Sequence, residues 1–389
     1  MEKYFKNKNY RMLYCDSFFR TFANSIYAVF TPVILYKSGV NISMIIFIYM
    51  IQFLVMGLFS PLAGTLSKRI GIANTKLISY MLKSISMLLV LNVDINIFNY
   101  LEIAIIYGLS GAANNPINTY IPSKIVSEDF RGRFNSCTYI LRSFSSILGY
   151  VFAGVFLIKD NNFIIAVTVT ICYIIAYIAL LNLDKNKFVY NINNSFKESY
   201  KYLMQKNENK RMKIVSGLRS FIIIERLITV PLYLYISLMD LKTFTSLYII
   251  STVVELLSLF ITGKKLDKNQ TTTFNCISFI KGIITAIFLF AKNTYTLMIN
   301  QSAYKLIDNV YDSLYSALSQ GKVETDKKDT MLLSIIHEMC LCFFEFVILL
   351  ILLIISTVNI DFTFKAMFIG SLWALFVNAL LIKKWNNLK

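Results

Sequence analysis

Charge is what this chain lacks. Only 16% of its 389 residues are Asp, Glu, Lys or Arg, against about 25% in a soluble domain. A soluble globule of this length wraps one or two cores in a charged skin, which this composition cannot supply. Acids are scarcer than bases, 22 Asp+Glu against 39 Lys+Arg, giving a formal charge of +17. Apolar residues reach 56%, so disorder is excluded as well. The cysteines (Cys15, Cys137, Cys172, Cys276, Cys340 and Cys342) fall in or beside apolar runs without C-x-x-C spacing. That excludes a disulfide scaffold and a thiolate metal site, and leaves them as small packing residues. Glycine totals only 14, so small-residue helix packing is thin. The P-loop pattern G-x-x-x-x-G-K-[ST] is missing, which excludes direct ATP hydrolysis. Without a metal cluster or a nucleophile–base set, an enzyme is not expected, and neither is a cofactor.

Long apolar runs are what is there. A helix crossing a ~30 Å hydrocarbon layer needs about 20 residues. Twelve runs qualify, near 12–36, 42–66, 74–93, 97–121, 134–158, 162–182, 217–238, 244–262, 272–290, 294–319, 331–356 and 362–382. They are too long for barrel strands of ~10 residues, so the expectation is an all-α membrane protein with twelve transmembrane helices. Met1–Arg11 is too polar, and the first run too long, for a cleaved signal peptide. With the N-terminus in the cytoplasm, cytoplasmic tails and loops hold 26 bases and 10 acids, external loops 4 and 4, and spans 9 and 8. All but one of the net positive charges are therefore cytoplasmic, as the positive-inside rule requires. The expectation is a multi-pass cell-membrane protein with both termini cytoplasmic, basic because of topology and not because of nucleic acid.

The chain divides at its widest gap into an N-terminal six-helix half (1–182), a basic cytoplasmic linker (183–216) near anionic headgroups, and a C-terminal six-helix half (217–389). Arg20-Thr21-Phe22, Pro32 and Leu35-Tyr36 reappear 199 residues on as Arg219-Ser220-Phe221, Pro231 and Leu234-Tyr235. Gly64 maps onto Gly263 by the same shift, and Lys83 onto Lys281 within one residue. Six spans per half is even, so the two pseudo-repeats are parallel, with a site expected between them around a central cavity.

Twelve spans in two halves joined by a long basic loop resemble the major facilitator superfamily. Ser60-Pro61-Leu62-Ala63-Gly64 followed by Lys68-Arg69-Ile70-Gly71 resembles its loop signature G-x-x-x-D-R-x-G. Gly108, Gly111, Asn115-Pro116, Ile121-Pro122, Arg131-Gly132-Arg133 and Leu148-Gly149 are similar in order and spacing to the drug and macrolide efflux branch. Lys68 stands where the family has aspartate, and only the second half keeps an acid there, Asp267. The span 5 signature reads Leu148-Gly149-Tyr150-Val151-Phe152-Ala153-Gly154, with Tyr150 replacing proline and Ala153 replacing glycine. The resemblance implies gating at Gly64, Lys68, Arg69, Gly71, Gly263 and Asp267. It also implies a compensating pair between Lys68 and Asp326 or Asp329 ahead of span 11.

Polar residues at helical spacing mark the expected cavity. Span 1 offers Asp16, Arg20, Asn24, Tyr27 and Thr31; span 4 offers Tyr107, Asn114 and Asn118. Span 7 offers Arg226, Thr229 and Tyr233, and span 10 Tyr304, Asp308, Tyr311 and Tyr315. The resemblance independently implies that spans 1, 4, 7 and 10 line the cavity. Asp308 among tyrosines suits a cationic ligand, whereas Arg20, Arg142, Arg219 and Arg226 suit an anionic or zwitterionic one. Arg20 and Arg219 are expected to approach the pseudo-twofold axis, with Asp16 as partner of Arg20. Intramembrane Asp16, Glu225, Glu255, His337, Glu338 and Glu345 are candidates for proton coupling. The functional expectation is a monomeric secondary transporter exporting a small amphipathic, drug-like compound against inward protons. Import or uniport of a polar metabolite or peptide, and a non-transporting receptor or subunit, are the alternatives. Its partners are then the small-molecule substrate, protons or another coupling ion, and membrane lipid.

Overall fold

The structure is a computed structural model and describes residues 7–126, 131–183, 196–204, 210–262, 270–291, 293–325 and 330–386. It is all-α, with no strand among the described residues. The first six spans are Lys8–Lys37, Ile42–Phe59, Ile72–Leu91, Ile97–Ile125, Arg131–Ile158 and Asn162–Leu181. Span 7 comprises Lys210–Ile224, a π-helical turn Glu225–Thr229 and Val230–Leu238. Spans 8 to 12 are Leu241–Thr262, Gln270–Ile287, Thr294–Thr325, Thr330–Val358 and Ile360–Asn386. Seven of these are long and apolar enough to cross a membrane on composition alone. We call the face where span 1 begins and span 12 ends the terminal face, and its opposite the far face.

Sequence chemistry explains the element ends. On the far face, Asn41, Asn96 and Asn161 each accept a hydrogen bond from a backbone N–H of the helix they precede. Asp240 does the same for span 8, through Thr243 N at 2.8 Å and Thr243 Oγ1 at 2.5 Å. These bonds hold its exposed carboxyl below the usual range. Span 2 stops at Phe59 and does not run on to residue 66. Pro61 lacks the N–H needed to continue the ladder, and instead opens a short helix, Leu62–Ile70. Gly71 then turns the chain into span 3 at φ +85°, a conformation other residues rarely adopt. Pro231 acts similarly in span 7: the ladder ahead of it slips by one residue, so that Val230 N–H bonds to the Glu225 carbonyl.

The duplication is visible in the packing. Spans 2 and 4, 3 and 4, 1 and 5, 1 and 6, and 3 and 6 are neighbours. Six spans on, so are 8 and 10, 9 and 10, 7 and 11, 7 and 12, and 9 and 12. The halves meet along two equivalent seams, span 2 against 11 and span 8 against 5. A linker helix, Phe196–Met204, docks at the terminal face, where the Tyr200 hydroxyl donates to the Leu58 carbonyl at 2.7 Å.

Candidate substrate cavity

A cavity of about 320 Å³ lies between the halves, lined by spans 1, 5, 7, 8 and 10. Its polar lining includes Arg20, Asn24, Arg142, Arg226, Gln301 and Lys305; Tyr150, Tyr248 and Tyr304 supply aromatic walls. Towards the far face it is roofed by a chain of rings crossing from half to half. Tyr36 meets Tyr235 at 6.2 Å between centroids, Tyr235 meets Phe244 at 5.9 Å, and Phe244 meets Phe30 at 5.9 Å. Phe30 then meets Tyr150 at 6.3 Å, and Tyr150 meets Tyr248 at 5.6 Å. Such pairs are worth about 0.5–1.5 kcal/mol each beyond area burial. Beside this roof, Ser43 and Ser356 join spans 2 and 11 at 3.0 Å. The far side is closed.

Of the residues expected in the cavity, Arg20, Asn24, Arg226 and Tyr304 line it. The others are engaged elsewhere. Tyr27 is buried against the Ser86 hydroxyl at 2.7 Å and stacks on Tyr107 at 4.4 Å. Span 4 lies behind spans 2 and 3, so Asn114 and Asn118 do not reach the cavity. Tyr233 donates to the Phe288 and Ala291 carbonyls at the far end of span 9. Asp308 is held by Lys281 and, at 3.6 Å, by Arg226. It is not paired with Lys305, whose ammonium approaches Glu255 at 3.9 Å. Tyr311 is fully buried and accepts from Asn378 at 3.0 Å.

The candidate coupling groups fall in separate settings. Asp16 pairs with Arg20 at 3.3 Å and with Lys76 at 3.5 Å, and accepts from the Tyr80 hydroxyl at 2.6 Å. Glu225 accepts from Thr285 at 3.1 Å; its neighbour Arg226 bonds to Asp312, so the two adjacent charges do point apart. Glu255 accepts from Ser143 at 2.9 Å and from Asn309. On span 11, Glu338 accepts from Asn115 at 2.6 Å and touches Cys342 Sγ at 3.9 Å. Glu345 is buried one turn beyond Cys342. No cation pairs with either span 11 glutamate among the described residues. His337 instead meets Ser216 at 3.2 Å.

Arg219 is buried and Arg20 is half-buried. Only Arg20 reaches the cavity; Arg219 turns to Asp312 at 2.5 Å and lies over Tyr311 and Tyr315. Gly64 is buried within the short helix Leu62–Ile70, where Lys68 and Arg69 are exposed. Gly263, Asp267, Asp326 and Asp329 lie outside the described residues, and the pairing expected for Lys68 lies there with them.

The Major Facilitator Superfamily profile matches residues 13–317, most of the chain. This chain belongs to the Major Facilitator Superfamily. It is therefore an integral, multi-pass membrane transporter and not an enzyme. Among solved structures, this superfamily member is similar to a bacterial homologue of the iron transporter ferroportin in an outward-facing state. The TM-score is 0.68 at 13% identity, over 97% of this chain and 99% of that one. It is also similar to the human organic anion transporter MFSD10 (TETRAN), with TM-score 0.65 and 12% identity over 95% and 99%. A D-xylose-proton symporter gives TM-score 0.67 and 10% identity over 96% of each chain. At such identities the likeness is one of fold. No curated protein matches the sequence.

Sequence reasoning missed spans 5 and 8 as cavity walls. A signal existed in span 5: Tyr150, the residue that replaces proline in the family signature, forms both roof and lining. Arg142 stood out only as one arginine among four. Tyr248 carried no usable signal.

Proposed function

We propose that this protein is a secondary active transporter of the drug-efflux type. In this reading it exports a small amphipathic compound from the cytoplasm by alternating access, against inward-moving protons. The observation that carries it is the cavity itself: it lies between the repeats, takes polar and aromatic walls from both, and is closed on the far side by ring contacts and one hydroxyl hydrogen bond. Contacts of that kind can part as the halves rock, because among the described residues no disulfide or ion pair spans the roof. With the basic terminal face in the cytoplasm and the halves bounded as 1–182 and 217–389, the closed side faces outwards, as expected of a carrier awaiting cytoplasmic substrate.

Proton coupling is assigned to Glu338 and Glu345. A carboxylate in hydrocarbon needs a cation or a proton. The groups around Glu338 are Asn115 from span 4, Met56 and Gly57 from span 2, and Cys342 of its own helix, all uncharged, and the cation nearest Glu345, Arg219 of span 7, is already engaged by Asp312. The site lies on the seam that closes and opens, so proton loss and helix separation are linked. Purified monomeric protein in liposomes with an imposed pH gradient tests the reading. Gradient-driven dye or radiolabel movement is expected. Its absence with properly folded protein would favour a receptor or subunit role.

A further inference from the structure

The two halves repeat each other in geometry and differ in charge balance. In the second half, the buried bases Arg219 and Lys281 and the half-buried Arg226 and Lys305 face the acids Glu225, Glu255, Asp308 and Asp312. In the first, the bases Arg20, Lys76, Lys83 and Arg142 face a single buried acid, Asp16. The spacing of 198 that carries Lys83 onto Lys281 carries Ser110 onto Asp308 and Asn114 onto Asp312. The first half therefore keeps the lysine and lacks both counter-ions. Lys83, buried and without a carboxylate partner among the described residues, donates to the side-chain oxygen of Asn24 at 3.3 Å. Arg142 donates through Nε to the Ser17 hydroxyl at 2.8 Å and sits 5.6 Å from the Tyr139 ring centroid. It, too, pairs with no carboxylate among the described residues.

This imbalance borders the cavity. Asn24, Arg20 and Arg142 are all lining residues, whereas the bases on the opposite wall, Arg226 and Lys305, already have acids. A guanidinium cannot shed its charge, so an uncompensated one in a low-dielectric site calls for an anion. The geometry points to an organic anion as substrate: its acid group is received between Arg142, Arg20 and the Lys83–Asn24 pair. Its apolar body lies against Tyr150, Tyr248 and Tyr304. The bound anion stands where the second half has its own aspartates. This rests on the transporter reading above only for the claim that the ligand also moves.

Three matched probes test it on the full-length protein in detergent: 2-naphthoate, 2-naphthylmethylammonium and neutral 2-naphthalenemethanol, read by thermal shift. Naphthoate should stabilise the protein and the other two should do so far less. Arg142→Gln should weaken naphthoate at least ~10-fold, as loss of a charge-assisted bond does. Arg142→Lys, which keeps charge without the fork, should fall between. Asn24→Asp is isosteric and keeps the fold; by placing a carboxylate on Lys83 it should also weaken naphthoate ~10-fold. Equal or tighter binding of the amine overturns the proposal, as does naphthoate affinity within twofold of wild type in both Arg142→Gln and Asn24→Asp. Naphthoate binding without flux in liposomes upholds the anion site and defeats the transporter reading. Amine flux that naphthoate does not inhibit does the reverse.

Discussion

The two seams between the halves are copies of one another, yet their chemistry differs. A Cβ built on Gly57 of span 2 would lie 3.0 Å from Cys342 Cβ of span 11. One built on Gly154 of span 5 would lie 2.3 Å from Thr245 Cγ2 of span 8. Both seams hold a carboxylate, but Glu255 on span 8 has Lys305 and two neutral donors, while Glu338 on span 11 has the Asn115 amide and a thiol. The cavity adjoins the 5/8 seam alone. Duplication thus fixes where helices touch, and single side chains decide what each contact does: one seam holds an ion-paired carboxylate, the other a carboxylate met by neutral groups.

The largest expected effect would break this contrast outright. Glu338→Gln and Glu345→Gln should abolish pH-gradient-driven accumulation in liposomes while naphthoate binding survives; Glu255→Gln, which strands Lys305, should disturb binding first. If Glu255→Gln abolishes coupling and the span 11 variants do not, the two seams have been assigned the wrong way round. Next is Asp312→Asn, which leaves Arg219 and Arg226 without their shared acid. About 3–5 kcal/mol of stability should go, measured by thermal or denaturant unfolding in detergent. Glu338→Gln, which keeps an acceptor for Asn115, should remain within about 1 kcal/mol of wild type. Smaller is the difference between two wedges. Gly154→Ala should cost about 1–3 kcal/mol, because a β-branched side chain on span 8 cannot retreat. Gly57→Ala should cost less, and a reversed order would show that the seams differ in plasticity. The smallest is Lys37→Ala, which removes an exposed 3.3 Å pair with Asp160 and should change stability by about 0–1 kcal/mol.

Much of this was legible in the chain. The length of apolar runs gave the twelve spans, with span 2 drawn too long, and the 199-residue shift gave the duplication that the helix neighbours reproduce. Asp16 with Arg20, and the divergence of Glu225 and Arg226, followed from helical spacing. The misses have a common physical origin. Spacing tells which residues share a face of one helix, but not which neighbour covers that face. Asn114, Tyr233 and Tyr311 sit on polar stripes that other helices bury. Spacing on span 10 offers Asp308 either to a ligand or to Lys305, because its partner Lys281 lies on another helix and reaches it only in the folded protein. Tyr248 became a wall residue through the 5/8 seam, a tertiary event with no local trace.

Tyr36 and Tyr235 are the same residue of the repeat, and their rings meet. Twins can touch only where the axis relating them passes, so this contact marks the point where that axis leaves the far face. If each half tilts by the same amount in opposite directions, the distance between twins changes by twice the movement of either. The pair is thus a built-in gauge of opening, independent of what is carried or what drives it. Two spin labels at 36 and 235 would read it directly.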